Sequence, residues 1–424
     1  MQAKMEKNNR LIVFFIPPEK IINGGILSIF SICQTSRKFK NIHGADVVLS
    51  TYPGTKSYKK NDLFKNDEII YSFDEVVKRG MSQFLQLHVP EYASLEVFLG
   101  LKKYSDYLRA IPDLNVNIMT QNIWLLQKPN EVAKWFLLTP NVTQTVAHDK
   151  SATQELADQY YLPSHLLSVF NDPSQYKWVP YEKKDNLIVL SPDETAKKKL
   201  IVNKLKKQFP AYEIVTIKNM HYEEYKGLVC RAKFTVTFGE GFDGYYIETF
   251  FSGGITLAVY NDDFFPDKDF SKFGNTYHSY DEMLRNITKN MTDLENNKSR
   301  YESIVDENLK KITKLYDFSA YAKNLENFYR HKFTYHPSKD SAKRLIASIL
   351  TEIEEKDATI AERNKAIAEQ GAAIAKRDRS IQEQGAAIAE RDKIIAAILN
   401  SRSWKVTKPL RQLSSIFSKG RGSG

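Results

Sequence analysis

The residues of this 424-residue chain best placed to do chemistry gather in one short stretch. It reads Phe238-Gly239-Glu240-Gly241-Phe242-Asp243-Gly244-Tyr245-Tyr246-Ile247-Glu248, with Ser252-Gly253-Gly254 just beyond. Residues 234–238 form an apolar, β-prone run, and a helical pattern follows at 247–252. Glu240 therefore belongs to a glycine-rich turn at the carboxyl end of a strand, and Glu248 to the first turns of the next helix. In a parallel α/β sheet that is where ligands bind. Glycines such as Gly241 and Gly244 let a ligand approach the backbone, and the helix start offers N–H groups and positive potential to a phosphate. Phe242 and Tyr245 lie in the same turn and are counted with the ligand site. Two carboxylates there accept hydrogen bonds from neighbouring hydroxyls of a sugar or ribose, each contributing about 1.5–3 kcal/mol.

Such a turn needs a sheet to hold it. Strand-like runs recur at 11–16, 45–49, 84–88, 116–119, 186–190, 213–217, 234–238 and 256–260. Helical stretches at 26–38, 196–208, 247–252, 280–290 and 294–315 alternate with them. This alternation predicts an α/β fold with parallel sheets. A polar, Pro-containing break at 176–185 divides the region into halves of about 175 and about 155 residues, each suited to one doubly wound domain.

The aromatic residues end this globular part sharply. Of 51 Phe, Trp and Tyr, none falls between Tyr335 and Trp404. From Ile353 onward isoleucine recurs at every seventh residue, through Ile360, Ile367, Ile374, Ile381 and Ile388 to Ile395. A strict period of seven predicts a coiled coil over 340–400, about 63 Å long across the isoleucines at 1.5 Å per residue. The second seam position is polar (Lys356, Arg363, Gln370), and Gly371 and Gly385 each weaken the helix by about 1 kcal/mol. A solvated isoleucine stripe gains nothing, so self-association through 353–398 is expected, with a trimer favoured by the all-Ile seam.

Charge separates the segments further. The net +10 comes mostly from residues 401–424, which hold six basic side chains and no acid, whereas 1–340 carries +4. Trp404, Leu410, Leu413 and Phe417 interleave with Arg402, Lys405, Lys408, Arg411, Lys419 and Arg421. That composition suits a helix lying on an anionic membrane surface, and three tethered copies would bind with avidity. No apolar run approaches the ~18–20 residues of a spanning helix. A charge confined to one tail also argues against a nucleic-acid partner. Two distant cysteines, Cys33 and Cys230, exclude a disulfide framework and a Cys-based zinc site, and fit a reducing compartment.

Glu240 and Glu248, inside E-G-F-x-G-x-x-x-E followed by Ser-Gly-Gly, resemble the E-x7-E signature of retaining GT-B glycosyltransferases, glycosyltransferase family 4 above all. The resemblance implies that Glu240 contacts the transferred sugar near its anomeric carbon and that Glu248 holds the nucleotide ribose. Gly24-Gly25 resembles the glycine loop that approaches the donor phosphates. His88, in Leu87-His88-Val89-Pro90-Glu91, resembles the histidine that touches the reacting sugar; His148, in Ala147-His148-Asp149, is the alternative. Residues 187–199 stand in place of the family's Arg-and-Lys diphosphate segment. Here the Arg is absent, Ser191-Pro192 replaces it, and Lys197, Lys198 or Lys199 supplies the lysine, Lys198 being assigned to the donor site. The segment 401–411 is similar to chain ends that follow coiled coils in bacterial enzymes of O-antigen and other surface-polysaccharide assembly.

The resemblance implies two Rossmann-like domains, an acceptor domain over 1–178 and a donor domain over 179–335, facing a cleft in the GT-B manner. It implies transfer from a nucleotide-sugar to a lipid-linked oligosaccharide or polysaccharide by a peripheral protein on the inner face of the bacterial inner membrane, without metal or organic cofactor. The alternative is a non-catalytic GT-B-like scaffold that organises partner enzymes; the missing Arg favours it and the intact glutamate pair disfavours it. Asp267-Lys268-Asp269 is an isolated D-x-D in a charged loop and reads as solvated.

Overall fold

The computed structural model describes residues 10–20, 23–56, 68–218 and 220–411. Contacts divide the chain into two units, 1–346 and 347–424.

In the first unit, β1 (Arg10–Ile16), β2 (Asp46–Thr51), β3 (Ile70–Tyr71), β4 (Phe84–Pro90), β5 (Asp113–Thr120), β6 (Val142–Val146) and β7 (Ser164–Leu166) form one parallel sheet in the order β3-β2-β1-β4-β5-β6-β7. Residues 12–16 of β1 are fully buried, as a central parallel strand covered on both faces requires. One face packs Val13, Phe15, Leu85 and Leu87 against Val97, Phe98 and Trp135. The other packs Ile12, Phe14 and Ile16 against Ile26, Ile29 and Phe30 of the helix Gly24–Arg37. Strand order reverses between β1 and β4, so a crevice opens at their carboxyl ends.

A second parallel sheet holds β8 (Asp185–Leu190), β9 (Glu213–Thr216), β10 (Ala232–Val236), β11 (Ile255–Val259) and β12 (Thr276–Tyr277), in the order β12-β11-β10-β8-β9. Its reversal lies between β8 and β10. The helix Gly244–Phe251 buries Tyr246, Ile247 and Phe250 against the sheet, with Phe242, Phe265 and Phe270 packed beside them. The helical region expected at 280–290 and 294–315 forms two helices, Tyr280–Asn296 and Lys298–Leu315. They part at Asn297, whose side chain accepts the Arg300 N–H and starts the second helix.

The chain then returns to the first domain. The helix Phe318–Tyr329 puts Tyr321 and Leu325 into the core of β1 and β2, and the Tyr329 hydroxyl donates to Ser36 Oγ at 2.7 Å. Tyr335 pairs with Ser164 at the edge strand β7. Residues of 318–335, a stretch expected in the second domain, thus pack on the first sheet. Tyr321 and Leu325 complete the cover that the helix Gly24–Arg37 begins on that face.

The helix Ser341–Asn400 starts in the first unit, where Ser341 and Leu345 are buried. Over 347–400 it is unbroken and passes through Gly371 and Gly385, at both of which an added Cβ would meet open space. The heptad isoleucines from Ile353 to Ile395 stand 49–65% exposed. A short helix, Arg402–Val406, follows, capped by Ser401, and the Arg411 guanidinium lies 3.6 Å from the Trp404 ring centroid. Leu413, Phe417, Lys419 and Arg421 lie outside the described residues. Among the described residues, no helix is long and apolar enough to cross a membrane.

Candidate active site

A cavity of about 750 Å³ lies between the carboxyl ends of the two sheets. The first sheet contributes Asn23, Gly24 and Gly25 after β1, Glu91 after β4, Gln121 and Asn122 after β5, and His148 after β6. The second contributes Asp193 after β8 and Glu240, Phe242, Asp243 and Gly244 after β10. The two topological switch points therefore open onto one space, the placement that doubly wound sheets reserve for ligands.

Backbone geometry turns Glu240 into this space. Gly239 and Gly241 hold φ of +80° and +84°, and a Cβ at Gly241 would stand 2.4 Å from the Val259 carbonyl oxygen. Only glycine fits there. Glu240 Oε1 accepts a hydrogen bond from Asn122 Nδ2, so the two domains meet at this carboxylate. Burial pushes the Glu240 carboxyl up to about 7, with Asp193 adding to the rise and Asn122 opposing it.

Asp243 starts the following helix. Its Oδ1 accepts the Tyr246 N–H at 2.9 Å and its Oδ2 the Thr237 hydroxyl at 2.9 Å. The N–H groups of Gly244 and Tyr245, at the first two helical positions, precede the intrahelical ladder. One turn on, Glu248 is buried and its Oε2 accepts the Tyr225 hydroxyl at 2.5 Å. The Tyr176 and Tyr222 hydroxyls, 2.7 Å apart, also support its charge. Burial nevertheless dominates and raises the Glu248 carboxyl to about 7. Across the cavity, Asn23 caps the helix Gly24–Arg37 through Ile26 N at 2.9 Å, which brings the helix's positive end to the same space.

Six of the residues singled out from sequence line the cavity: Glu240, Glu248, Gly24, Gly25, Phe242 and Gly244. Gly241 and Tyr245 shape the turn without lining it; the Tyr245 ring packs edge-on to Tyr225 at 5.7 Å. His88 is placed differently from its expected role. It lies two residues before the end of β4, its ring on the sheet face shared with Phe14, stacked on it at 4.1 Å and covered by Phe328. Its Nδ1 meets Asn117 Nδ2 at 3.2 Å, its Nε2 has no partner, and burial pushes its pKa down to about 3. The alternative, His148, lines the cavity, edge-on to Phe264, and burial lowers its pKa too.

Lys198 also departs from expectation. Its ammonium donates to the carbonyls of Ser191 (3.1 Å), Pro192 (3.0 Å) and Asp193 (2.7 Å) and pairs with Glu194 at 3.3 Å. It clasps the loop after β8 instead of lining the cavity. Among the described residues, Lys226 is the cation that lines the cavity from the second domain, paired with Glu223 at 2.7 Å. Asp267 and Asp269 both pair with Lys311, at 2.5 and 2.7 Å. Sequence reasoning missed Glu91, Asn122, Asp193, Tyr222, Tyr225 and Lys226. Their one available signal was position, since several follow a strand end in the same way as Glu240.

Two facing doubly wound α/β domains with a ligand-sized cleft at their switch points define the class of architecture. No family model matches the chain and no curated protein is similar to it. Solved structures similar to it include sucrose-phosphate synthase from Thermosynechococcus elongatus, at 8% identity over 76% of this chain and 98% of that one, TM-score 0.48. HepE of Anabaena in complex with UDP-glucose is similar at 9% identity over 76% and 99%, TM-score 0.49. A glycosyltransferase from Rickettsia africae is similar at 11% identity over 77% and 99%, TM-score 0.48.

Proposed function

We propose that this chain is a retaining GT-B glycosyltransferase. It moves a sugar from a nucleotide-sugar to a lipid-linked glycan in bacterial O-antigen or other surface-polysaccharide assembly. The observation that carries the reading is that Glu240 and Glu248 line one interdomain cavity onto which two helix N-termini, at Gly24 and Gly244, also open. In this reading the diphosphate lies against those N–H groups, aided by Lys226, and Glu248 holds the ribose. As the diphosphate departs, the sugar gains oxocarbenium character and the Glu240 carboxylate stabilises it. The chemistry asks for no metal or organic cofactor.

The same reading assigns the rest of the chain. The exposed isoleucine stripe supports a coiled coil over 353–398 that joins chains, three being favoured. The basic segment 401–424 then holds the enzyme on the anionic inner face of the bacterial inner membrane, where lipid-linked acceptors are. The test is a thermal-shift and turnover screen of the full chain against UDP-, GDP-, ADP- and dTDP-sugars. One donor is expected to stabilise the protein and be consumed, and Glu240→Ala should bind it yet lose at least 100-fold in transfer. Full activity in that variant refutes the site assignment, and no response to any donor refutes the reading.

A further inference from the structure

We infer that Glu91 is the acceptor-side carboxylate of the cleft: it holds the attacking hydroxyl and takes its proton. This rests on the glycosyl-transfer reading above. Glu91 is the first residue after β4, at the switch point of the first sheet, on the wall opposite Glu248. It lines the cavity although only 1% exposed. Its two oxygens differ. Oε1 accepts the Asn122 N–H at 2.8 Å, whereas Oε2 is buried with no hydrogen bond. A buried carboxylate oxygen without a donor is unfavourable, and such groups in folded proteins have a reason to be there. A ligand hydroxyl arriving from the cavity supplies the missing donor; a diphosphate, which carries only acceptors at neutral pH, does not.

Asn122 fixes the geometry of the pair. Its backbone N–H holds Glu91, and its side-chain amide holds Glu240 across the domain interface. One residue thus sets both carboxyls, one on each wall, around the space where the anomeric carbon and the attacking oxygen must meet. Burial also pushes Glu91 up to about 7, against the pull of the backbone N–H groups of Asn122, Glu91 and Gln121 and with the Glu240 charge adding slightly to the rise, which matches a base working near neutral pH. The step balances. The acceptor O–H bond breaks and its proton goes to Glu91 Oε2. The acceptor oxygen bonds the anomeric carbon, and the bond from that carbon to the diphosphate oxygen breaks with its electron pair on the diphosphate. Glu91 then returns the proton to water.

The test uses the full chain, the nucleotide-sugar panel above as donors and octyl glycosides as acceptors. E91Q is expected to keep the wild-type thermal shift with the donor and to lose 10²–10⁴-fold in kcat. E91A should lose as much and recover at least tenfold with formate, which fits the vacated space. E91Q within threefold of wild type overturns the inference and leaves the transfer reading standing, whereas a wild-type protein that neither binds nor transfers overturns that reading. Should E91Q melt early or lose the donor shift, E91A decides: rescue by formate supports the inference and no rescue overturns it.

Discussion

Glu248→Gln is expected to make the protein more stable above pH 7 while weakening its ligand. Glu248 is 5% exposed, and burial raises its carboxyl from 4.5 to about 7 against the opposing pull of Tyr225, Tyr176, the Lys226 charge and Tyr222. A carboxyl whose folded pKa is raised holds its proton more tightly in the folded chain than in the unfolded one. Its contribution to stability is therefore full below about pH 4.5 and is lost as pH climbs through 7. The gap corresponds to about 3 kcal/mol at alkaline pH. Glutamine has the same shape, carries no charge and still accepts the Tyr225 hydroxyl, but its amide crowds the other tyrosine hydroxyls. A gain of about 1–3 kcal/mol at pH 8.5 is expected, shrinking towards zero at pH 5. Urea unfolding of the full chain followed by fluorescence at pH 5, 7 and 8.5 measures it. In the proposed reading the variant also loses a charged hydrogen bond to the ribose, so donor affinity should fall roughly tenfold or more. An equal stability difference at pH 5 and 8.5, or a loss at 8.5, would refute the reasoning.

Gly241→Ala combines a left-handed backbone, φ +84°, with a Cβ 2.4 Å from a backbone carbonyl and 3.0 Å from the Phe265 ring. It should cost about 2 kcal/mol or more and lower the melting temperature by several degrees; an unchanged melt means that the turn is not as tight as described. Ending the chain at Ile346 keeps Ser341 and Leu345 in their buried places but removes the isoleucine stripe. The shortened protein should sediment as a monomer and the full chain as a trimer, and a shortened chain that stays oligomeric overturns the coiled coil.

The eight apolar runs read as strands all form strands, because β1, β4, β5 and β8 are buried enough to spell themselves in Val, Ile, Leu and Phe. The four strands that were not foreseen lack that spelling. β3 and β12 have two residues each, β7 has three, and β6 reads Val-Thr-Gln-Thr-Val with Gln144 and Thr145 buried and hydrogen-bonded instead of apolar. The place of Glu240 and Glu248 at the cavity was legible because glycines and a strand–helix switch fix them locally. His88 was not, since its fate depends on Phe328 and Tyr329, some 240 residues later in the chain. Lys198 shows the same limit: three carbonyls of a single loop consume its protons, and no spacing announces that.

The helix Phe318–Tyr329 bears on how the protein is made. As the chain leaves the ribosome, the first domain emerges with one face of β1 and β2 covered by the helix Gly24–Arg37 alone, and the part that Tyr321 and Leu325 later meet still bare. That face closes only after the whole second domain has been synthesised. The N-terminal domain therefore cannot mature first in the usual vectorial order. A gene split at residue 178 would yield an N-terminal half with an unsealed apolar surface, dependent on chaperones or on the other half supplied in trans.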